Sequence, residues 1–227
     1  MKTTMALKPL AFALAALMAV AAQAGDYNKK TSSTATVNDA QYNHGNAVLN
    51  DKTQNNASVN SSFNNSSGIV GSNTAAGDNN QGKNDVAITS GDADFVFATV
   101  NSGQANYGNL VINSGTKNNA SVNNSFNDAR GIAQSNVAAG TSNQGSNSVA
   151  MNAGKNGDGG AATINAVQDV TGNLTVNLSS GHGWKTSPVV NNASVNSSFN
   201  NSSGIVGSNV AAGSNNQGQN NVAITRF

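Results

Sequence analysis

Large apolar side chains are sparse along this chain, and they return at fixed places. Val59, Phe63, Ile69, Val86 and Ile88 are followed 63 positions later by Val122, Phe126, Ile132, Val149 and Met151, and 73 positions after those by Val195, Phe199, Ile205, Val222 and Ile224. Under period-2 alternation Ala193, Val195, Ser197 and Phe199 share one strand face, as do Val222 and Ile224. Spacings of four also suit a helix. However, Asn, Ser, Gly and Val are poor helix formers, and these windows hold little Leu, Glu or Lys. The pattern therefore predicts strands, punctuated by turns at 65–68 and 201–204 and again at 76–82 and 212–218. Gly68, Gly131 and Gly204 are the turn glycines of this reading. Each block becomes about three short strands and two bends, with another strand or two upstream around Val37 and Val48.

The recurring positions belong to a 35-residue block that starts at Asn55, Asn118 and Asn191 and aligns without gaps; the first and third copies agree at 31 positions, the second and third at 23. The repeat reaches further upstream, because Ala35-Thr36-Val37-Asn38 returns as Ala98-Thr99-Val100-Asn101 and Ala162-Thr163-Ile164-Asn165. The units are 35–89, 98–152 and 162–225, after a polar lead at 25–34, with connectors at 90–97 and 153–161 and an insertion near 178–187. Such units are too thin to bury an apolar face alone, so they stack. The expected fold is all-β: three imperfect repeats stacked as a β-solenoid-like, cross-β layer structure, disordered before assembly. The fifteen apolar residues named above then form core ladders. Asn55, Asn118 and Asn191, and likewise Gln81, Gln144 and Gln217, form polar ladders in which each amide donates to the next. Every layer leaves open edges that recruit another chain.

Charge and composition sharpen this picture. Lys2 and Lys8, the apolar run Leu10–Ala22 and the Ala22-Gln23-Ala24 pattern read as a secretory signal peptide, cleaved between Ala24 and Gly25. The remaining chain holds 41 Asn, no Cys and no Glu, and Pro188 is its single proline. Low charge with almost no proline separates it from ordinary disordered chains and matches chains that stack as cross-β. No basic patch offers a nucleic-acid site. Like charges stacked one strand apart repel, and the block 191–225 has no charged residue, which marks it as the strongest assembly nucleus.

The run Asn-Asn-Ala-Ser-Val-Asn at 191–196 and Ser-Gly-Ile-Val-Gly-Ser-Asn-Val-Ala-Ala-Gly-Ser-Asn-Asn-Gln-Gly at 203–218 resembles the imperfect repeats of the Fap functional amyloid subunits, exported bacterial proteins that build biofilm fibrils. The resemblance covers nearly the full chain. The family's major subunit carries longer linkers and a Cys-x-x-Cys near its C-terminus. This chain has neither and ends at Arg226-Phe227, so it is more similar to the minor subunit, associated with seeding. The resemblance implies self-assembly as a homopolymer, co-assembly with the major subunit, export through the periplasm and an outer-membrane pore, and an extracellular fibril. It implies no cofactor and no small-molecule substrate.

No enzyme constellation stands out. His44 sits beside Gly45, and His182 and Trp184 lie in the insertion; all three read as loop residues. A calcium site at Asp78 or around Asp158 would keep its ligand in every repeat, yet Asp78 becomes Thr141 and Ser214. The alternative to a fibril subunit is a soluble secreted β-solenoid that binds polysaccharide or another surface; that design needs end caps, and none is visible.

Overall fold

A computed structural model describes residues 31–91, 93–154, 159–179, 181 and 187–226. Ala24 and Gly25, His182 and Trp184, and Asp158 lie outside the described residues. The chain is all-β. The first repeat supplies β1 (Ser32–His44), β2 (Ala47–Asp51), β3 (Gln54–Asn60), β4 (Ser67–Ala76) and β5 (Gln81–Gly91). The second supplies β6 (Phe95–Tyr107), β7 (Leu110–Ser114), β8 (Lys117–Asn123), β9 (Arg130–Thr141) and β10 (Gln144–Gly154). The third supplies β11 (Gly159–Thr171), β12 (Leu174–Leu178), β13 (Val190–Asn196), β14 (Ser203–Ser214) and β15 (Gln217–Arg226).

These strands form five parallel three-stranded sheets, and the second repeat is central in each: β1-β6-β11, β2-β7-β12, β3-β8-β13, β4-β9-β14 and β5-β10-β15. Equivalent residues pair with equivalent residues, as in Asn55↔Asn118↔Asn191 and Val86↔Val149↔Val222. Parallel strands need a long crossover; here the rest of the repeat is the crossover. Each repeat is thus one layer, about 4.8 Å thick.

Within a layer the chain runs back and forth. The β3 and β4 sheets enclose one apolar core, built from Ala57, Val59, Val122, Phe126, Val137 and Ala139. The β5 and β1 sheets enclose a second, built from Ala87, Ala98, Val100 and Ala150 with Val37 and Ile164 at its edges. Between β4 and β5 glycine meets asparagine: Gly71 lies against Asn84, and Gly82 against Asn73. The packing order is therefore β3, β4, β5, β1. The short β2 closes the side, where Asn50 Nδ2 donates to Thr141 Oγ1 at 3.3 Å.

Several local features differ from the sequence reading. Period-2 alternation carries a strand through Phe199, but β13 ends at Asn196. Ser61, Phe63 and Asn65 all have positive φ (47°, 59° and 55°), and the same alternation recurs at Asn124, Phe126, Asp128 and at Ser197, Phe199, Asn201. Alternating left-handed residues bend the chain into an arc that swings each Phe into the β3–β4 core. Inter-layer bonds continue through the arc: Phe126 N–H donates to the Ser62 carbonyl at 2.9 Å, and Phe199 N–H to that of Ser125 at 3.0 Å. Second, β5 runs on to Gly91 and β6 starts at Phe95, so strand extends into the 90–97 segment. His44, expected in a loop, is instead the last residue of β1, where in-register pairing stacks it on Tyr107 with ring centroids 5.1 Å apart.

Gly68, Gly131 and Gly204 sit at the second residue of β4, β9 and β14, with φ of 92°, 111° and 112°. A Cβ on Gly131 would fall 2.3 Å from the Gly68 carbonyl oxygen, and one on Gly204 2.1 Å from that of Gly131. Only hydrogen fits between layers in this column. At Gly68, which faces the open end, a Cβ would meet nothing within 4 Å.

Candidate assembly site

The chemistry of this molecule is concentrated in columns running through the layers. The apolar columns are in register, and their burial depends on the layer. Val122 is fully buried in the middle layer, whereas Val195 in the outer layer is 48% exposed. Ile132 and Val149 are likewise buried, while Ile69 at the first end is exposed. The three Phe rings form a continuous stack, with centroids 4.9 Å apart for Phe63–Phe126 and 5.0 Å for Phe126–Phe199. The Ile88, Met151 and Ile224 column lies at the rim: Ile88 and Ile224 are exposed and Met151 is half-buried. Ile205 and Val222 are half-buried in the third layer, and Val86 in the first.

The polar columns are ladders of amide hydrogen bonds. Asn55 Nδ2 donates to Asn118 Oδ1 at 2.9 Å, and Asn118 to Asn191 at 2.8 Å. Gln217 Nε2 donates to Gln144 Oε1 at 3.3 Å, and Gln144 to Gln81 at 2.9 Å. The same geometry holds for Gln41, Gln104 and Gln168, and for Asn38, Asn101 and Asn165. An amide carries both a donor and an acceptor, so a column of identical amides satisfies itself in one direction. Each column runs out of amides at both ends of the stack, leaving donors at one end and acceptors at the other.

Two ladders that sequence reading did not single out cross-link into a lattice. Asn136 Nδ2 donates to Asn73 Oδ1 at 2.9 Å and Asn209 Nδ2 to Asn136 Oδ1 at 3.0 Å, on the β4 side. On the β5 side Asn147 donates to Asn84 at 2.9 Å and Asn220 to Asn147 at 2.8 Å. The columns join within each layer, as Asn84 donates to Asn73 at 3.0 Å, Asn147 to Asn136 at 3.0 Å and Asn220 to Asn209 at 3.1 Å. Room comes from the opposing glycines: a Cβ on Gly145 would stand 2.8 Å from Asn136 Oδ1. These Asn recur in all three repeats, the same signal that marks Asn55.

Charge obeys a different rule. Lys83 and Asp85 point into the β5–β1 core of the first layer, 3% and 6% exposed. Lys83 Nζ donates to the carbonyls of Gly103 at 3.0 Å and Asp39 at 3.4 Å. Burial holds the Lys83 pKa below its ordinary value, opposed by the nearby Asp39 and Asp85 carboxylates. Burial likewise raises that of Asp85, opposed by Lys83 and by the Ser102 hydroxyl. The columns above are neutral: Ser102, Ser146 and Ser148 in the second layer, then Ala166, Gln219 and Asn221 in the third. Throughout the paired strands no charged residue lies over another. Among the described residues no three His, Cys, Asp or Glu side chains gather as a metal site.

Identical residues stacked in parallel register, with unpaired strands at both ends, define a cross-β module open to further layers. The chain belongs to the functional amyloid protein FapB/FapC family, whose model matches residues 34–226. The functional amyloid subunit FapC of Pseudomonas aeruginosa is 42% identical over 193 residues, covering 78% of this chain and 56% of that relative. The chain therefore spans about half the length of this curated relative. No solved structure matches it.

Proposed function

We propose that this chain is an exported structural subunit that adds to copies of itself, third repeat against first, to extend an amyloid fibril outside the cell. One observation carries the reading: among the described residues, all five sheets end in unpaired parallel strands at both faces of the stack, and the amide ladders stop there. A neighbouring copy continues every ladder only by arriving in the same direction, because donors then meet acceptors. Strand spacing gives a translation of about 14 Å per chain, three layers of about 4.8 Å.

Thioflavin T kinetics with X-ray fibre diffraction on residues 25–227 test this. Reflections near 4.8 and 10 Å and a lag phase abolished by seeds are expected. A chain that stays monomeric for days with a β-type circular dichroism spectrum defeats the proposal and favours a soluble solenoid with a surface ligand.

The finer role we assign is that of the minor, seeding subunit of the family, which co-assembles with the major subunit and leaves the cell through the periplasm and an outer-membrane pore. It rests on the short connectors at 90–97 and 153–161. Preformed fibrils of this chain should shorten the lag of the major subunit at a few per cent seed; an unchanged lag removes the seeding role.

A further inference from the structure

Adding copies above and below turns every layer into a middle layer, so the middle repeat shows what a fibril leaves uncovered. Among the described residues, most exposed large apolar side chains sit in the outer repeats, where neighbouring layers would cover them. Among the described residues of the middle repeat, Leu110 is the one large apolar side chain that remains exposed, at 38%. It opens β7, whose Val111 and Asn113 point inward and are buried, while Leu110, Ile112 and Ser114 point outward. The register places Leu110 between Ala47 and Leu174, and Ile112 between Leu49 and Val176. Leu49 and Leu174 are 73% and 59% exposed. The outward face of the β2-β7-β12 sheet is thus an apolar strip, unlike the Asn and Ser columns outside β3-β8-β13.

We infer that this strip is a lateral interface, and that its occupant is the same strip on a second stack of this chain. The inference rests on the fibril reading above. Three properties point to a second copy. The outward positions of these fifteen strand residues carry one charge, Asp51, at the border, so two strips meet without repulsion at their centres. Among the described residues, the outward positions of the three strands hold no Lys, Arg or aromatic side chain, the set that a lipid surface would require. The third property is area. The sheet measures about 17 Å along the strands and about 14 Å along the stack, so one chain offers roughly 240 Å². Two single chains would cover about 500 Å² in total, far below the roughly 1,600 Å² of a stable interface. Stacks of four or more copies reach that size. Pairing is therefore an attribute of the polymer: short stacks stay single, and longer ones pair face to face about a two-fold axis, closing as a dry zipper.

The test compares mass per length of fibrils of residues 25–227 with those of Leu110→Lys, by scanning transmission electron microscopy. One charge per three layers in this column is compatible with stacking, as the neighbouring Asp51 column already carries one. The expected result is two chains per ~14 Å in the wild type and one in L110K, a twofold drop, with the strand-spacing reflection retained. Should L110K not assemble, Leu110→Thr, neutral and β-branched, makes the same comparison. Wild-type fibrils with one chain per ~14 Å, or L110K fibrils that keep two, overturn the lateral interface while leaving stacking intact. Single wild-type stacks that instead bind phosphatidylcholine vesicles through Leu110 also overturn it. Loss of the reflection in the wild type defeats the fibril reading itself.

Discussion

The β5-β10-β15 sheet has two faces, and they solve the problem of stacking polar groups in opposite ways. Toward β4 it presents Asn84, Asn147 and Asn220, the same residue in every layer, locked to Asn73, Asn136 and Asn209. Toward β1 it presents Lys83 and Asp85 once, and neutral residues in the two layers above. An amide can repeat without limit because each copy satisfies the next. A charge repeated every 4.8 Å would repel itself by about 3 kcal/mol per contact at an effective dielectric of 20. The second face is also less well satisfied, as Asp85 Oδ2 and Ser148 Oγ have no hydrogen-bond partner. Repetition is thus confined to groups that are their own complement.

The strongest way to break the amide face is Asn136→Leu. Asn136 donates to Asn73, Asn84 and the Lys83 carbonyl, and accepts from Asn147 and Asn209. Leaving two or more buried partners unmatched costs roughly 3–6 kcal/mol. The concentration of soluble chain left at the assembly plateau should rise at least a hundredfold; a rise below fivefold shows the lattice to be dispensable.

On the charged face, Ser146→Lys places a second ammonium directly over Lys83. Fibrils should be weakened by about 3 kcal/mol before salt screening, and 0.5 M salt should recover part of the loss. Ser146→Gln, which copies Gln219 of the third repeat, should assemble like the wild type. Equal defects in both variants would implicate size rather than charge.

Smaller in effect is removal of the native charges by the pair Lys83→Gln and Asp85→Asn, which copies the third layer. Replacing a buried, imperfectly satisfied pair should stabilise fibrils at neutral pH by about 1–2 kcal/mol. It should also flatten their pH dependence. The raised pKa of Asp85 means the stack holds a proton, between 3.8 and that raised value, which the free chain has released. Stability therefore falls as pH rises through this window. Lys83 acts on the alkaline side: between its lowered value and 10.5 the free chain holds the extra proton, and stability rises with pH. Guanidinium midpoints of fibrils across pH 3 to 11 read both slopes, and identical profiles in the double variant would remove the pair as their source. The smallest change is Asn119→Ser on the outward ladder of Asn56, Asn119 and Asn192. In contact with water it should cost under about 0.5 kcal/mol; a loss comparable to that of Asn136→Leu would erase the distinction between inner and outer ladders.

Neighbours along the stack are legible in the amino-acid sequence, because identity between repeats names them: Asn55, Asn118 and Asn191 pair as the repeat alignment places them. Neighbours within a layer are not. Asn73 and Asn119 are the same letter, each among small residues, yet one lies in the amide lattice and the other on the outer wall. Nothing in period-2 alternation says which sheet will face which. The Phe column shows the same limit. Phe199 packs against the β3–β4 core, but alternation continues the strand three residues too far, because the left-handed conformations at Ser197 and Phe199 fall on residue types that rarely adopt them and so leave no local signature.

The glycine column at the start of β4 makes the two tips of the stack unequal toward a methyl group. Gly131 and Gly204 have no room for one, while Gly68 has open space that only an incoming copy would take up. A Gly68→Ala chain is therefore a one-sided stopper. It accepts some local strain at positive φ, can join a growing tip through its third repeat, and bars the next arrival at its first. Mixed into the wild type at a few per cent it should shorten fibrils rather than slow their birth, a dominant effect from a minority chain. Fibril lengths unchanged by such doping would mean that the layers can part enough to admit a methyl group.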